Sequence, residues 1–392
     1  MELQKRNAWL LGLCQFCFLA ASAVGLAFSG LAGAWLAPDK SLATLPFLAI
    51  TVVTAAATLV VPRLIQRLGV RTTLSLGSTM AALGAWLSVW ALTQHHFVLF
   101  CLGNACMGLY QACAQYYRYI AADNATPDFR ASAIAYVLSG GILAALCGPW
   151  LAAQSQNWWG LALFGGSFAL AGLLAFASLP LIAALRLRPV SHEASVQPPP
   201  RPLRQILAGE EIRLGMVACV GGYAVMSFVM TASPFAVVSC GYSNAAAAGV
   251  IQWHLLGMYG PSLLSGRLVE RLGARRVVTV GVGLGLAALA VAALGQTLRY
   301  FQLALALVGI GWNLMYVGGT ALLMRSYRPS EKDTVQACNE FATFGAVAVA
   351  IALAGVVQNR LGWEAILWFA LLPLGIAASA LAWNGRRVWQ RA

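Results

Sequence analysis

Long apolar runs separated by short polar segments dominate the hydropathy pattern of this chain. A membrane-spanning helix needs about 20 mostly apolar residues, and the sequence contains twelve stretches of that kind. Their predicted limits are 8–36, 41–61, 73–92, 96–119, 131–153, 157–184, 213–237, 244–265, 277–295, 300–325, 333–357 and 362–384. We therefore predict an all-α membrane protein with twelve transmembrane helices.

The composition agrees with a multi-pass membrane protein. Of the 392 residues, 60% are hydrophobic and only 9% are charged, whereas a soluble domain carries about 25% charged residues. So few charged side chains cannot cover the surface of a soluble protein of this size. The composition thus excludes a soluble globular enzyme, a disordered chain and a nucleic-acid-binding domain.

Basic residues are distributed unevenly between the two sides of the predicted spans. If twelve spans alternate in direction, 22 of the 25 Lys and Arg residues lie on the side that holds both termini, and the other side has Lys40, Arg299 and Arg360. Cytoplasmic loops carry an excess of basic residues, so both termini are predicted to be cytoplasmic. The net charge of +13 therefore indicates orientation in a bilayer and not a nucleic-acid partner.

A proline-rich segment divides the predicted spans into six and six. It contains Gln197-Pro198-Pro199-Pro200-Arg201-Pro202, and sequence of this kind forms semi-rigid linkers. We predict a six-helix bundle over 1–185, a cytoplasmic linker over 186–212 and a second six-helix bundle over 213–392.

The two halves repeat a loop sequence, which reads PRLIQRLGVR at 62–71 and GRLVERLGARR at 266–276. The second copy matches the G-x-x-x-(D/E)-R-x-G-x-(R/K)-(R/K) motif of the major facilitator superfamily, which the whole chain resembles. The resemblance implies two bundles that rock around a substrate near the membrane midplane. Glycines permit a tight turn and a carboxylate can pair with arginine, so we expect a gating latch made by Gly266, Glu270, Arg271, Gly273, Arg275 and Arg276.

Soft metal donors recur at a spacing of four in two predicted helices. Met226 and Met230 lie in the seventh, and His254 and Met258 lie in the eighth. Residues four apart share a helix face, sulfur ligands select Cu(I), and imidazole binds several metals. Methionine pairs usually serve packing, whereas a histidine within the membrane is costly and often functional. We predict a copper site here, with Cys219 and Cys240 as auxiliary ligands.

The M-x-x-x-M and H-x-x-x-M motifs resemble those of the CcoA-type copper importers within the major facilitator superfamily. The resemblance implies alternating-access import of copper across the bacterial inner membrane, which supplies haem-copper (cytochrome c) oxidase assembly. It implies no cofactor, copper as the transported substrate, a cytoplasmic copper acceptor as partner and a monomer in the bilayer.

Several alternatives remain open at this point. One is an exporter of small amphipathic organic compounds whose cavity is lined by Tyr110, Gln111, Trp312 and Asn313. Asn104 stands where many drug antiporters carry an arginine, which disfavours a drug antiporter. A membrane redox enzyme would need several histidines at depth, and His254 is the only one predicted there. A non-transporting sensor is the last alternative.

Overall fold

The structure, a computed structural model, describes residues 2–126, 129–187 and 200–389. The first half contains the helices α1 (Glu2–Leu36), α2 (Leu45–Leu68), α3 (Val70–Thr93), α4 (Phe97–Asp123), α5 (Arg130–Gln154) and α6 (Gly165–Ala183). The second half contains α7 (Glu210–Ser239), α8 (Asn244–Tyr259), α9 (Ser262–Leu272), α10 (Ala274–Ala293), α11 (Leu298–Ser326) and α12 (Lys332–Trp389). The chain is an all-α membrane protein, as predicted.

Within these described residues, ten helical segments are long and apolar enough to cross a membrane. Predicted spans one to seven, nine and ten each coincide with one such segment, and spans eleven and twelve fall together in Thr334–Trp383. The eighth predicted span is divided between the two shorter helices α8 and α9. The total of twelve crossings and the cytoplasmic side of the termini stay predictions.

A proline separates α8 from α9. Pro261 has no backbone N–H, so an α-helix cannot continue its hydrogen-bond ladder through it. Asn313 of α11 bonds the chain beside this break, because its Nδ2 donates to the Met258 carbonyl oxygen at 2.9 Å and to Ser262 Oγ at 2.7 Å. One amide thus contacts the chain on both sides of the break. Irregular backbone within a membrane protein needs such partners.

The single element α12 contains both of the last two predicted spans. Its one residue outside helical geometry is Gly362, with a φ of 78°. This is the left-handed region that glycine adopts at little cost. The two predicted spans are therefore joined through one glycine, without a longer loop.

Contacts between Cα atoms divide the chain into two units: Met1–His192 with Gly241–Gln252, and Glu193–Cys240 with Trp253–Ala392. The sequence assigned Gly241–Gln252 to the C-terminal bundle. Within the first unit, Gln252 Nε2 donates to the Leu146 carbonyl oxygen at 2.6 Å, which helps to explain this grouping. The predicted division into two six-helix bundles stays a prediction.

Small residues bring the helices of the second unit close together. A Cβ atom at Gly309 of α11 would lie 2.5 Å from the His254 carbonyl oxygen of α8, and one at Gly222 of α7 would lie 3.1 Å from Met315 Cβ. Helices in membranes commonly associate through small residues that let their backbones approach. Both α7 and α8 therefore pack directly against α11.

Two clamps flank residues 188–199, which hold most of the predicted linker and lie outside the described part of the chain. Before this stretch, Asn7 Nδ2 donates to the Arg186 carbonyl oxygen at 2.8 Å, and Asn7 Oδ1 accepts from the Arg186 N–H at 3.1 Å. After it, Arg201 forms a two-pronged ion pair with Glu331, with Nε–Oε1 at 2.7 Å and Nη2–Oε2 at 2.8 Å. Each end of the linker is thus attached to its own unit.

The Glu331 carboxylate is completely buried, although it lies outside the membrane-spanning segments. Its oxygens also accept the backbone N–H groups of Arg201 at 3.1 Å and Arg328 at 3.0 Å. Hydrogen bonds from the Arg201 side chain, followed by these backbone amides, hold the pKa of Glu331 at about 2. Nearby, Ile206 from the short helix Leu203–Leu207 packs among apolar residues that include Cys219.

Candidate substrate-binding site

Four aromatic side chains from three helices meet within the second unit. The Tyr223 ring of α7 stands nearly perpendicular to Trp312 and to Tyr316 of α11, with centroid distances of 5.0 and 5.2 Å. Phe344 of α12 lies 6.4 Å from the Tyr223 ring. Edge-to-face contacts are a favourable arrangement of aromatic rings. We call Tyr223, Trp312, Tyr316 and Phe344 the aromatic cluster.

Two members of the aromatic cluster are stacked on each other. The rings of Trp312 and Tyr316 have centroids 5.5 Å apart and planes inclined by 6°. Residues four apart share one helix face, so α11 presents two parallel ring planes. Planar aromatic ligands stack favourably on surfaces of this kind.

Three of the buried polar side-chain atoms that have no hydrogen-bond partner among the described residues lie in the cluster or near its level along the helices. They are Nε1 of Trp312, Oδ1 of Asn339 and Oγ1 of Thr343, in residues that are 8%, 4% and 1% exposed. Most buried polar groups in proteins are hydrogen-bonded. These three atoms therefore offer donor and acceptor positions to a bound molecule.

Cys219 connects the cluster to its polar border. Its Sγ lies 3.8 Å from the Tyr316 carbonyl oxygen and 3.9 Å from Thr320 Oγ1, and Asn339 is within hydrogen-bonding reach of the thiol. Cys219 and Tyr223 thus both contact α11, as expected for two residues four apart on one helix face. The other predicted auxiliary ligand, Cys240, contacts Gln296 Oε1 at 3.1 Å and is about 30 Å from Cys219 along α7.

The predicted copper ligands are all buried side chains. His254 Nδ1 lies 2.9 Å from the Leu305 carbonyl oxygen. A carbonyl oxygen only accepts hydrogen bonds, so Nδ1 carries the proton, and Nε2 has a lone pair that no described partner uses.

The level of these ligands along α11 follows from the helix contacts. Gly215 lies beside Gly319 and Gly222 lies beside Met315, so residue numbers rise along α7 as they fall along α11, and the two helices run in opposite directions. Four residues further along α7, Met226 is therefore level with about residue 311, while His254 lies beside Gly309.

Whether the four ligands meet at one point is a separate matter. Among the described residues, no group of three or more His, Cys, Asp or Glu side chains could hold a metal. Thioether sulfurs fall outside that set. The convergence of Met226, Met230, His254 and Met258 therefore stays a prediction.

The predicted gating loop joins α9 to α10 at Gly273, which has a φ of 83°. In this loop Arg275 pairs with two acids at the start of α7, with Nη2–Oε1 of Glu210 at 3.1 Å and Nε–Oε1 of Glu211 at 2.9 Å. Exposed positions in and beside the loop are Gly266, Glu270, Arg271 and Arg276. The described acidic partners of Arg275 come from α7, and the expected role of Glu270 in a latch stays a prediction.

Sequence reasoning missed Tyr316, Phe344, Asn339 and Thr343. The signal was available, because Trp312 and Tyr316 are four residues apart, as are Asn339 and Thr343.

Of the residues proposed for an exporter cavity, Trp312 belongs to the aromatic cluster, and Asn313 bridges the break after α8. Tyr110 lies in the first unit, with its hydroxyl 2.7 Å from Ser178 Oγ, and Gln111 is half-buried.

Comparison with known proteins gives a consistent result. The model of the Major Facilitator Superfamily matches residues 8–262 and 254–388. The riboflavin transporter RfnT of Brucella anthropi is 34% identical over 365 residues, covering 93% of this chain and 92% of that protein. The uncharacterized MFS-type transporter YdeG of Bacillus subtilis is 28% identical, covering 97% of this chain and 90% of that protein.

A solved structure shows the same fold. The crystal structure of the nucleoside transporter NupG has a TM-score of 0.70 and 14% sequence identity, covering 97% of this chain and 99% of that one. Members of the family and its structural neighbours are transporters rather than enzymes, in agreement with the prediction. The chain therefore belongs to the Major Facilitator Superfamily and is a multi-pass membrane transporter.

Proposed function

We propose that this protein transports a small planar organic compound of the riboflavin class across the bacterial cytoplasmic membrane. The observation that carries the proposal is the aromatic cluster, above all the parallel rings of Trp312 and Tyr316. The relative RfnT, which carries the name of a riboflavin transporter and aligns with 93% of the chain, supports the same substrate class.

The chemistry of the cluster suits such a compound. The isoalloxazine ring of riboflavin is flat, aromatic and uncharged, so it gains from stacking and from leaving water. The unpartnered atoms of Trp312, Asn339 and Thr343 are neutral donors and acceptors. They can hydrogen-bond a neutral polar molecule without the larger cost of burying a charge. Alternating access, in which two bundles rock around the substrate, would then carry it across the membrane.

Flux of riboflavin into or out of liposomes that contain the purified protein tests this proposal. We expect saturable flux that Trp312→Leu largely abolishes. Trp363→Leu is the matched control, because Trp363 is also a buried tryptophan with an unpartnered Nε1 but packs on Phe301, away from the cluster. Absence of flavin flux in either direction, or equal loss in both variants, would contradict the proposal.

Copper is a second candidate because of His254. Its Nδ1–H is held by the Leu305 carbonyl while Nε2 keeps its lone pair, an arrangement typical of histidines that bind metals. The relatives described above lend copper no support. If copper is the substrate, cells that express the protein accumulate copper, and both Met226→Ala and His254→Ala abolish that gain. If riboflavin is the substrate, cellular copper is the same with and without the protein.

A further inference from the structure

A pair of polar residues on α12 has no role in the fold described so far. Asn339 and Thr343 are four residues apart and share one face of the helix. Both are almost completely buried, and Oδ1 of Asn339 and Oγ1 of Thr343 have no partner among the described residues. Burying such groups without hydrogen bonds costs free energy, so the pair needs an explanation.

Three threonines in other helices of this protein behave differently. Thr54, Thr73 and Thr279 each donate from Oγ1 to the carbonyl oxygen four residues earlier, at 2.8, 2.9 and 3.0 Å. This bond within the helix is the usual way for a membrane threonine to satisfy its hydroxyl. Thr343 does not make it, so its hydroxyl remains available to a molecule outside the helix.

The pair borders the aromatic cluster. Asn339 lies near the Cys219 thiol of α7, and Phe344, the neighbour of Thr343, contacts the Tyr223 ring of α7. Cys219 and Tyr223 are themselves four residues apart. The two polar side chains on α12 therefore lie level with the α7 segment that carries the ring at the centre of the cluster.

We propose that Asn339 and Thr343 bind the hydroxyl-bearing chain of the substrate while the aromatic cluster binds its planar ring. The amide oxygen accepts hydrogen bonds and the hydroxyl both donates and accepts. Side chains one helical turn apart have Cβ atoms roughly 5–6 Å from each other, a spacing that two hydroxyls of a short polyol chain can match. The inference rests on the proposed function and narrows its substrate class to a ring that carries a polyol chain.

Selectivity follows from the same two atoms. A ring without the chain would leave Asn339 Oδ1 and Thr343 Oγ1 unpaired, and sites built to bind a hydroxyl discriminate strongly against analogues that lack it. Riboflavin carries a ribityl chain, whereas lumichrome has a closely related ring without one. We therefore expect riboflavin to bind more tightly than lumichrome.

Competition for riboflavin flux in liposomes measures this preference, with unlabelled riboflavin and lumichrome as the two competitors. Thr343→Val removes the hydroxyl at nearly constant volume and should lower the preference for riboflavin roughly tenfold, the effect of one hydrogen bond. The loss should come from weaker riboflavin binding, with lumichrome unaffected. Thr343→Ser keeps a hydroxyl and should restore the preference, which separates recognition from misfolding.

Thr231→Val is the matched control. Thr231 is also buried with an unpartnered Oγ1, but it lies about 12 Å beyond Tyr223 along α7, so its loss should leave the preference unchanged. If riboflavin flux is present and Thr343→Val keeps the preference of the wild type, the inference is wrong while the proposed function stands. If the wild type moves no flavin, both are overturned.

Discussion

The indole ring of Trp312 lies parallel to the phenol ring of Tyr316 one helical turn away, with 6° between their planes. Tyr223 of α7 meets both rings edge-on. Contacts on two sides restrict the orientation of each ring before a substrate arrives. Pre-ordered side chains lower the entropy cost of binding, which favours a rigid planar ligand.

Tyr316→Leu tests the importance of this stacking. The variant keeps an apolar side chain but removes one of the two parallel rings, so the dissociation constant of riboflavin should rise roughly tenfold, as expected for one lost aromatic contact. Quenching of flavin fluorescence on binding to detergent-solubilised protein measures the constant. An unchanged constant would mean that the substrate does not stack on Tyr316.

The break between α8 and α9 should depend on Asn313. Removing its amide by Asn313→Ala leaves the Met258 carbonyl without this bond and should cost about 1–3 kcal/mol in the free energy of unfolding. Pro261→Ala restores a backbone N–H at the break and allows a more regular helix. We therefore expect Asn313→Ala to cost less in the Pro261→Ala background. A double-mutant cycle in chemical denaturation measures this coupling, and additive costs would contradict it.

Glu331 predicts how stability depends on pH at the end of the linker. Its pKa in the folded protein is about 2, below the ordinary value of 4.5, because Arg201 and backbone amides stabilise the charged form. The ion pair therefore contributes fully above about pH 4.5, and its contribution is lost as the pH falls towards 2. Glu331→Gln should lower the melting temperature at pH 7, and the difference from the wild type should shrink as the solution is acidified.

Melting curves recorded across this pH range in detergent provide the measurement for Glu331→Gln. Glu270→Gln is a suitable control because Glu270 is exposed on α9, and exposed charges contribute little to stability. If the melting temperatures of Glu331→Gln and the wild type differ by the same amount at every pH, the buried carboxylate does not stabilise the protein through its charge.

Several features of the fold were readable from local sequence, because length and apolarity determine which segments can lie in a bilayer. Cys219 and Tyr223 are four residues apart, and helical periodicity alone is enough to place them on one face. Pro261 lies inside the predicted eighth span, and the rule that proline interrupts helices would have predicted the break. The ion pairs of Arg275 with Glu210 and Glu211 were harder to predict from the sequence, because tertiary packing joins residues about 65 positions apart.

The substrate was harder to predict, for a physical reason. A spacing of four indicates only that two side chains share a helix face. Met226 and Met230 have this spacing, and so do Trp312 and Tyr316, whose chemistry suits a different ligand. Partner atoms from neighbouring helices distinguish these faces, as the unpartnered Thr343 hydroxyl shows. A spacing motif in one helix cannot supply that information.

The clamps formed by Asn7 and Glu331 give the connection between the two units a defined reach. They hold Arg186 and Arg201, which are fifteen residues apart, and a chain of that length extends at most roughly 50 Å. The two clamps thus leave a connection of at most that length between the anchor points at Asn7 and Glu331. Releasing either clamp would add residues to the free connection and so increase its maximum length, with no change to the residues between Arg186 and Arg201.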